Sequence, residues 1–106
     1  MDKVGSELLS EAKCASSGRA VRAIKTGGRA GLRHMMVALC AGAKLSDHNN
    51  PGEATLLVLR GSVCLRDVEN STDWEGMAGD LVEIPQARHG VVAREDSVVV
   101  LTLVKL

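Results

Sequence analysis

From residue 32 onward the sequence is a series of short apolar runs broken by turn-forming clusters. The runs are "LRHMMVALCA" (32–41), "ATLLVL" (54–59), "SVCLRDV" (62–68), "DLVEI" (80–84), "GVVA" (90–93) and "SVVVLTLV" (97–104). They are rich in Val, Leu and Ile, and none is long enough to demand a helix. Between them stand "NNPGE", "ENSTDWEG", "AGD" and "REDS", whose Asn, Pro, Gly, Asp and Ser favour turns. Six or more short strands at this spacing predict an all-β sandwich or barrel. "SVCLRDV" alternates, with Val63 and Leu65 on one side and Cys64 and Arg66 on the other. "LRHMMVALCA" and "ATLLVL" are apolar on both sides, so both faces of those strands need a cover.

The first 31 residues differ. Val4, Leu8, Ala12 and Ala15 recur at helical spacing, which predicts a short helix over 3–15 ended by "SSG" at 16–18. "TGGRAG" (26–31) is a loop, and no GKS or GKT follows it to make a phosphate cradle. The expected organisation is an N-terminal helix and arm over 1–31 and a β-barrel over 32–106, forming one structural domain. A chain of 106 residues buries only a small core, which oligomerisation would help.

Composition narrows the function. Trp74 is the sole aromatic residue and the formal net charge is zero. That disfavours single-strand nucleic-acid binding, which relies on aromatic stacking. Cys14, Cys40 and Cys64 are far apart and odd in number, so buried free thiols in a reducing compartment are expected. "MDKVGSELLSEAK" lacks the apolar stretch of a secretory leader, and no run of about 18 apolar residues exists to span a membrane. A cytoplasmic protein is expected. Charge is segregated: every charged residue from Ala12 to Ser46 is basic, whereas from Asp47 to Asp96 acids outnumber bases ten to four. The basic segment is expected to lie across the acidic remainder or across a second subunit.

Two further stretches carry chemistry. After Gly42 come five residues and His48, then Asn50, Glu53 and Ala54, and six residues later Gly61. After Gly79 come five residues and Pro85, then His89 and Ala93. In this order and spacing the chain, over roughly 32–105, resembles the cupins, and within them a subgroup of stand-alone bacterial cupins with no settled activity. The first cupin motif places His at 48 and 50 and Glu at 54; here Asn50 and Ala54 occupy two of the three positions, with Glu53 one place early. In the second, Ala87 or Arg88 stands near the Gly position, His89 comes one residue early, and Ala93 stands where the motif closes on Asn.

The resemblance implies a cupin jelly-roll β-barrel, a double-stranded β-helix, preceded by a short helix. It implies a small molecule bound in the barrel, with His48, Asn50, Glu53, His89 and His34 as candidate contacts. His48 and His89 are the candidate metal ligands, His89 reaching the site from across the barrel. His34 joins them if its face of the strand, shared with Met36 and Ala38, is inward. Two imidazoles, an amide and a displaced carboxylate make a poor set for zinc or iron(II), so a weakly bound divalent metal or none is expected. Cys64 is read as a small buried apolar residue, Trp74 as a plug at a barrel end or a subunit contact, and Arg60 and Arg88 as strand-end arginines available to an anionic ligand. Three functions follow: non-enzymatic small-molecule binding first, a metal-dependent oxygenase or isomerase using His48 and His89 second, and a regulatory or nucleic-acid-binding module using residues 19–33 third, nucleic acid being the least expected partner. A homodimer is expected, and no membrane association.

Overall fold

The computed structural model describes residues 2–25, 32–48, 53–84 and 88–104. One helix, α1 (Asp2–Cys14), precedes nine strands: β1 (Arg19–Lys25), β2 (Leu32–Leu39), β3 (Lys44–His48), β4 (Glu53–Arg60), β5 (Ser62–Asp67), β6 (Thr72–Met77), β7 (Leu81–Glu83), β8 (His89–Ala93) and β9 (Ser97–Val104). The strands form two antiparallel sheets, ordered β1-β2-β9-β4-β7 and β3-β8-β5-β6. From β2 onward the chain crosses repeatedly between them, which is the jelly roll that the spacing of apolar runs predicts.

Alternation along the strands separates two cores. Val37, Leu39, Leu56, Val58, Val63, Leu65, Val91 and Val99 point between the sheets and form the barrel interior. Met36, Ala38, Val98 and Val100, on the other side of the five-stranded sheet, pack with Leu8 and Ala12 of α1. Thus β2, β4 and β9 are apolar on both faces for different reasons: one face fills the barrel and the other borders the helix. Leu8 and Ala12 are fully buried, as their place on the helical stripe predicts.

Three strands lie where the sequence reading had none. β1 runs through the expected arm, β3 through a charged segment, and β6 through "ENSTDWEG", which we expected as a turn. The thiols also depart from expectation. Only Cys64 is buried; Cys14 is exposed and Cys40 partly so, all three being free. Cys14, the last residue of α1, lies two positions from Ala12 and so on the side of the helix away from the buried stripe. Among the described residues no helix is long and apolar enough to cross a membrane.

Candidate ligand site in the barrel interior

His89 opens β8 and is 2% exposed. It shares its side of the strand with Val91 and Ala93, both in the barrel core, so its imidazole belongs to the interior. The backbone register places His48 of β3 opposite His89 on one flank and Asp67 of β5 opposite it on the other. Asp67 in turn pairs with Thr72 of β6. One line across the four-stranded sheet therefore reads His48, His89, Asp67, Thr72. The next reads Leu45, Val91, Leu65, Trp74. A polar row at the barrel mouth thus borders an apolar one deeper in.

The two histidines are neighbours in one sheet rather than on opposite walls, which corrects the expected approach of His89 from across the barrel. Directly opposed antiparallel residues have Cα atoms roughly 4.5–5.5 Å apart. The His48 side chain and Asn50 lie outside the described residues.

Asp67 is a site residue that the sequence reading did not single out. Its signal was present, because Val63, Leu65 and Asp67 share one side of an alternating strand. Its carboxylate accepts hydrogen bonds from the Asn70 side-chain amide at 2.7 Å and the Asn70 backbone N–H at 3.1 Å. The Asn70 amide, then its N–H, hold the Asp67 carboxyl below its ordinary pKa, and the nearby His89 adds to the effect. Asp67 is thereby kept ionised and fixed in direction.

Beside this row is a cavity of about 180 Å³ walled by Leu65, Asp67, Thr72, Asp73, Trp74, Val82 and Glu83. It sits where β5 and β6 of one sheet face β7 of the other. Trp74, expected in a loop, is on β6 and packs against the barrel core. A larger concavity, about 360 Å³, lies on the outer side of the five-stranded sheet, walled by Glu53, Ala54, Thr55, Glu83, Thr102 and Val104. Size and chemistry point to different places here. We place the candidate site inside, because the smaller cavity is walled by core residues together with Asp67, the register partner of the buried His89.

The other expected contacts are dispersed. His34 shares the outer face of β2 with Met36 and Ala38, and its Nδ1 hydrogen-bonds Thr102 Oγ1 at 2.9 Å. Glu53 is exposed, whereas Ala54 is buried in the barrel core. Residue 54, not 53, therefore has the inward parity on β4, and an alanine stands there. Arg60 Nη2 donates to Ser6 Oγ of the helix at 2.7 Å, on the outer side. Arg88 is exposed. Cys64 is on the outer face of the four-stranded sheet, paired in register with Glu75. Burial, and next the Glu75 carboxylate, push its thiol pKa up, so it is not a thiolate near neutral pH.

Among the described residues no group of three His, Cys, Asp or Glu side chains is arranged to hold a metal ion. The carboxylate position on β4 is filled by the core methyl of Ala54. The described residues do not fit a resident transition metal.

No family model matches the sequence, and no curated protein does. Solved structures do match in shape. A conserved protein of unknown function from Streptococcus pyogenes is 21% identical, with a TM-score of 0.74 over 87% of this chain and 78% of its own. A cupin superfamily protein from Desulfitobacterium hafniense is 12% identical, with a TM-score of 0.74 over 83% of this chain and 78% of its own. An acetylacetone dioxygenase from Acinetobacter johnsonii is 15% identical, with a TM-score of 0.72 over 82% of this chain and 60% of its own. At these identities the likeness concerns the fold. The strand order, the positions of the two motif-like stretches on β3, β4 and β8, and these matches agree: the chain has the cupin fold.

Proposed function

We propose that this protein binds a small molecule at the interior mouth of its barrel, that binding does not depend on a resident transition metal, and that the working form is a cytoplasmic homodimer. The observation that carries the reading is the row of His89, Asp67 and Thr72 at the edge of an otherwise apolar interior, beside a cavity. Of the three only His89 is buried; polar groups set at the edge of an apolar pocket suit oriented binding of a small ligand. His48 extends the row by its backbone position, and Asn50 follows it in sequence.

The second reading, a metal-dependent oxygenase or isomerase, draws on the register that sets His48 beside His89 and on the fold shared with a dioxygenase. A nucleic-acid role for residues 19–33 gains less support. Arg22 is engaged by Glu7 at 3.4 Å and Glu11 at 3.3 Å, and Arg19 donates to the Lys44 carbonyl at 2.9 Å.

Metal analysis of protein purified without chelator or nickel resin, combined with mass spectrometry of small molecules released on denaturation, separates the first two readings. We expect well under one equivalent of metal after dialysis, and a released organic ligand whose retention is lost in His89→Ala. Stoichiometric zinc, iron, manganese or nickel would replace the binding reading with the enzyme reading.

A further inference from the structure

We infer that the small molecule at the barrel mouth is an organic carboxylate, and that Arg33 of β2 receives its carboxylate group. This rests on the binding reading above and adds the chemical class of the ligand and the residue that selects it.

Register fixes the side of the sheet on which Arg33 stands. It pairs with Leu103 of β9, which in turn pairs with Ala54 of β4. Leu103 and Ala54 both belong to the barrel core, and directly opposed residues share a face. Alternation along β2 agrees: Val37 and Leu39 are in the same core, and Met35 and Arg33 continue their side of the strand. Arg33 is thus the charged end of an otherwise apolar inward face. It is exposed, so that face opens to water at Arg33.

The facing wall carries the histidines. A turn closed by the Ala43 N–H on the Cys40 carbonyl, 2.8 Å, takes the chain from the end of β2 into β3 of the other sheet. β3 therefore runs back along β2 and brings its last residue, His48, toward the start of β2, where Arg33 stands. His89 is the register partner of His48. Sheets packed face to face lie ~10 Å apart. The mouth so has a guanidinium on one wall and the buried imidazole row on the other.

Arg33 is also left over by the rest of the fold, which is an independent observation. Arg22, Arg66 and Arg94 pair with carboxylates. Arg19 donates to the Lys44 carbonyl and Arg60 to Ser6. Among the described residues the side chains of Arg33 and Arg88 have no hydrogen-bond or ion-pair partner. Both are at the mouth, since Arg88 immediately precedes His89.

A planar guanidinium presents paired N–H donors that match the two oxygens of a carboxylate, and such charge-assisted bonds are stronger than neutral ones. A doubly charged anion such as a phosphate monoester is a poorer occupant. Asp67 lies further along the imidazole row and is held ionised by Asn70, so a second negative charge would meet it. The carboxylate group belongs at the β2 and β3 side, and the rest of the ligand extends toward the apolar wall of Leu65 and Val82.

The test titrates isotope-labelled protein with benzoate and with butanoate at fixed ionic strength, following the backbone amides and the Arg33 Nε–H by NMR. The controls are benzamide and butanamide, which are uncharged, and benzamidinium, a cation of the same shape as benzoate. We expect saturable shifts at Arg33 and His89 with at least one carboxylate, and binding about tenfold or more weaker for its amide and for the cation. Arg33→Gln, checked for unchanged circular dichroism, is expected to lose about tenfold in carboxylate affinity, and Arg33→Lys to recover only part of it because the fork is gone. Arg88→Gln is expected to cost less than about threefold, as a rim charge does. Equal or tighter binding of the amide or the cation overturns the carboxylate assignment and leaves the small-molecule reading standing. Wild-type affinity in Arg33→Gln, or a larger loss in Arg88→Gln, overturns the assignment to Arg33. If no probe binds saturably the carboxylate assignment falls, and the small-molecule reading then falls with it unless an organic ligand is recovered from the purified protein.

Discussion

Three of the glycines that frame the cupin-like stretches have left-handed backbones: Gly42 at φ 84°, Gly61 at φ 79° and Gly79 at φ 96°. A side chain in this region costs an L-residue roughly 1–2 kcal/mol. The surroundings distinguish them. At Gly61 an added Cβ would meet Ser97 Oγ, the Asp96 carbonyl and Ser97 Cα, whereas at Gly42 nothing lies within 4 Å. Gly61→Ala is therefore expected to cost the backbone penalty plus an overpacking penalty of about 1–3 kcal/mol, and Gly42→Ala the backbone penalty alone. Urea denaturation would measure both; equal losses would mean that the β4–β5 turn relaxes around the methyl group. The same comparison explains what was legible in the motifs. Their glycines mark turns the backbone requires wherever this fold occurs, so they remain readable when ligand positions carry other residues. His89 is a candidate from its place in the second motif, with Arg88 and Gly90 beside it suiting a rim as well; its alternation with Val91 and Ala93 on β8 is what turns it inward. Asp67 was overlooked because a carboxylate at the end of a strand looks, in sequence, like the start of the turn that follows.

At the scale of elements, the strands that were legible are those whose apolar content exceeds what a surface can hold. β2, β4 and β9 border both cores, and their runs of Val and Leu follow from that position. The strands that were not legible lie at sheet edges, where one side faces water. β6 carries Thr72, Trp74 and Gly76 inward and Asp73, Glu75 and Met77 outward. Half of it resembles a turn because its outward half is charged and its inward half holds a glycine in place of a core residue. β1 is basic, and charged residues on an edge strand discourage further pairing. β3 has one core-directed apolar side chain, Leu45, in five residues. The helix was legible from its stripe, and the stripe has an energetic consequence. Leu8 is 0% exposed and packs with Met36, Ala38, Val98 and Val100. Leu8→Ala is expected to destabilise the fold by about 2–5 kcal/mol, the range for truncating a buried leucine. A loss below about 1 kcal/mol in the same denaturation assay would mean that α1 frays from the sheet without consequence.

At the scale of the whole molecule, the expected homodimer rested on an outer sheet face with nothing to cover it, and the structure changes where that argument applies. α1 covers the outer face over β2 and β9, so those strands no longer call for a partner. The charge asymmetry is partly answered within the chain as well, by Arg22 with Glu7 and Glu11 and by Lys13 with Asp96. What remains is β1. Val21 pairs in register with Val37 and shares its side of the sheet, yet Val37 is 2% exposed and Val21 54%. The edge strand thus extends past the opposing sheet, leaving Val21, and Ile24 at its bulge, 54% and 48% exposed. A second copy packing its own β1 overhang around a two-fold axis would bury these side chains with one self-complementary surface. The arginines and lysine of β1 disfavour simple strand addition, so side-chain packing rather than edge-to-edge hydrogen bonding is the expected contact. Light scattering at micromolar concentration and moderate salt should give the dimer mass for the wild type and the monomer mass for a Val21→Asp, Ile24→Asp double variant, with circular dichroism unchanged because neither side chain supports the core. A monomeric wild type would end the dimer argument. A double variant that stays dimeric would move the interface away from β1, toward the other exposed apolar side chains: Val68, or Met77 and Leu81 near the β6–β7 turn.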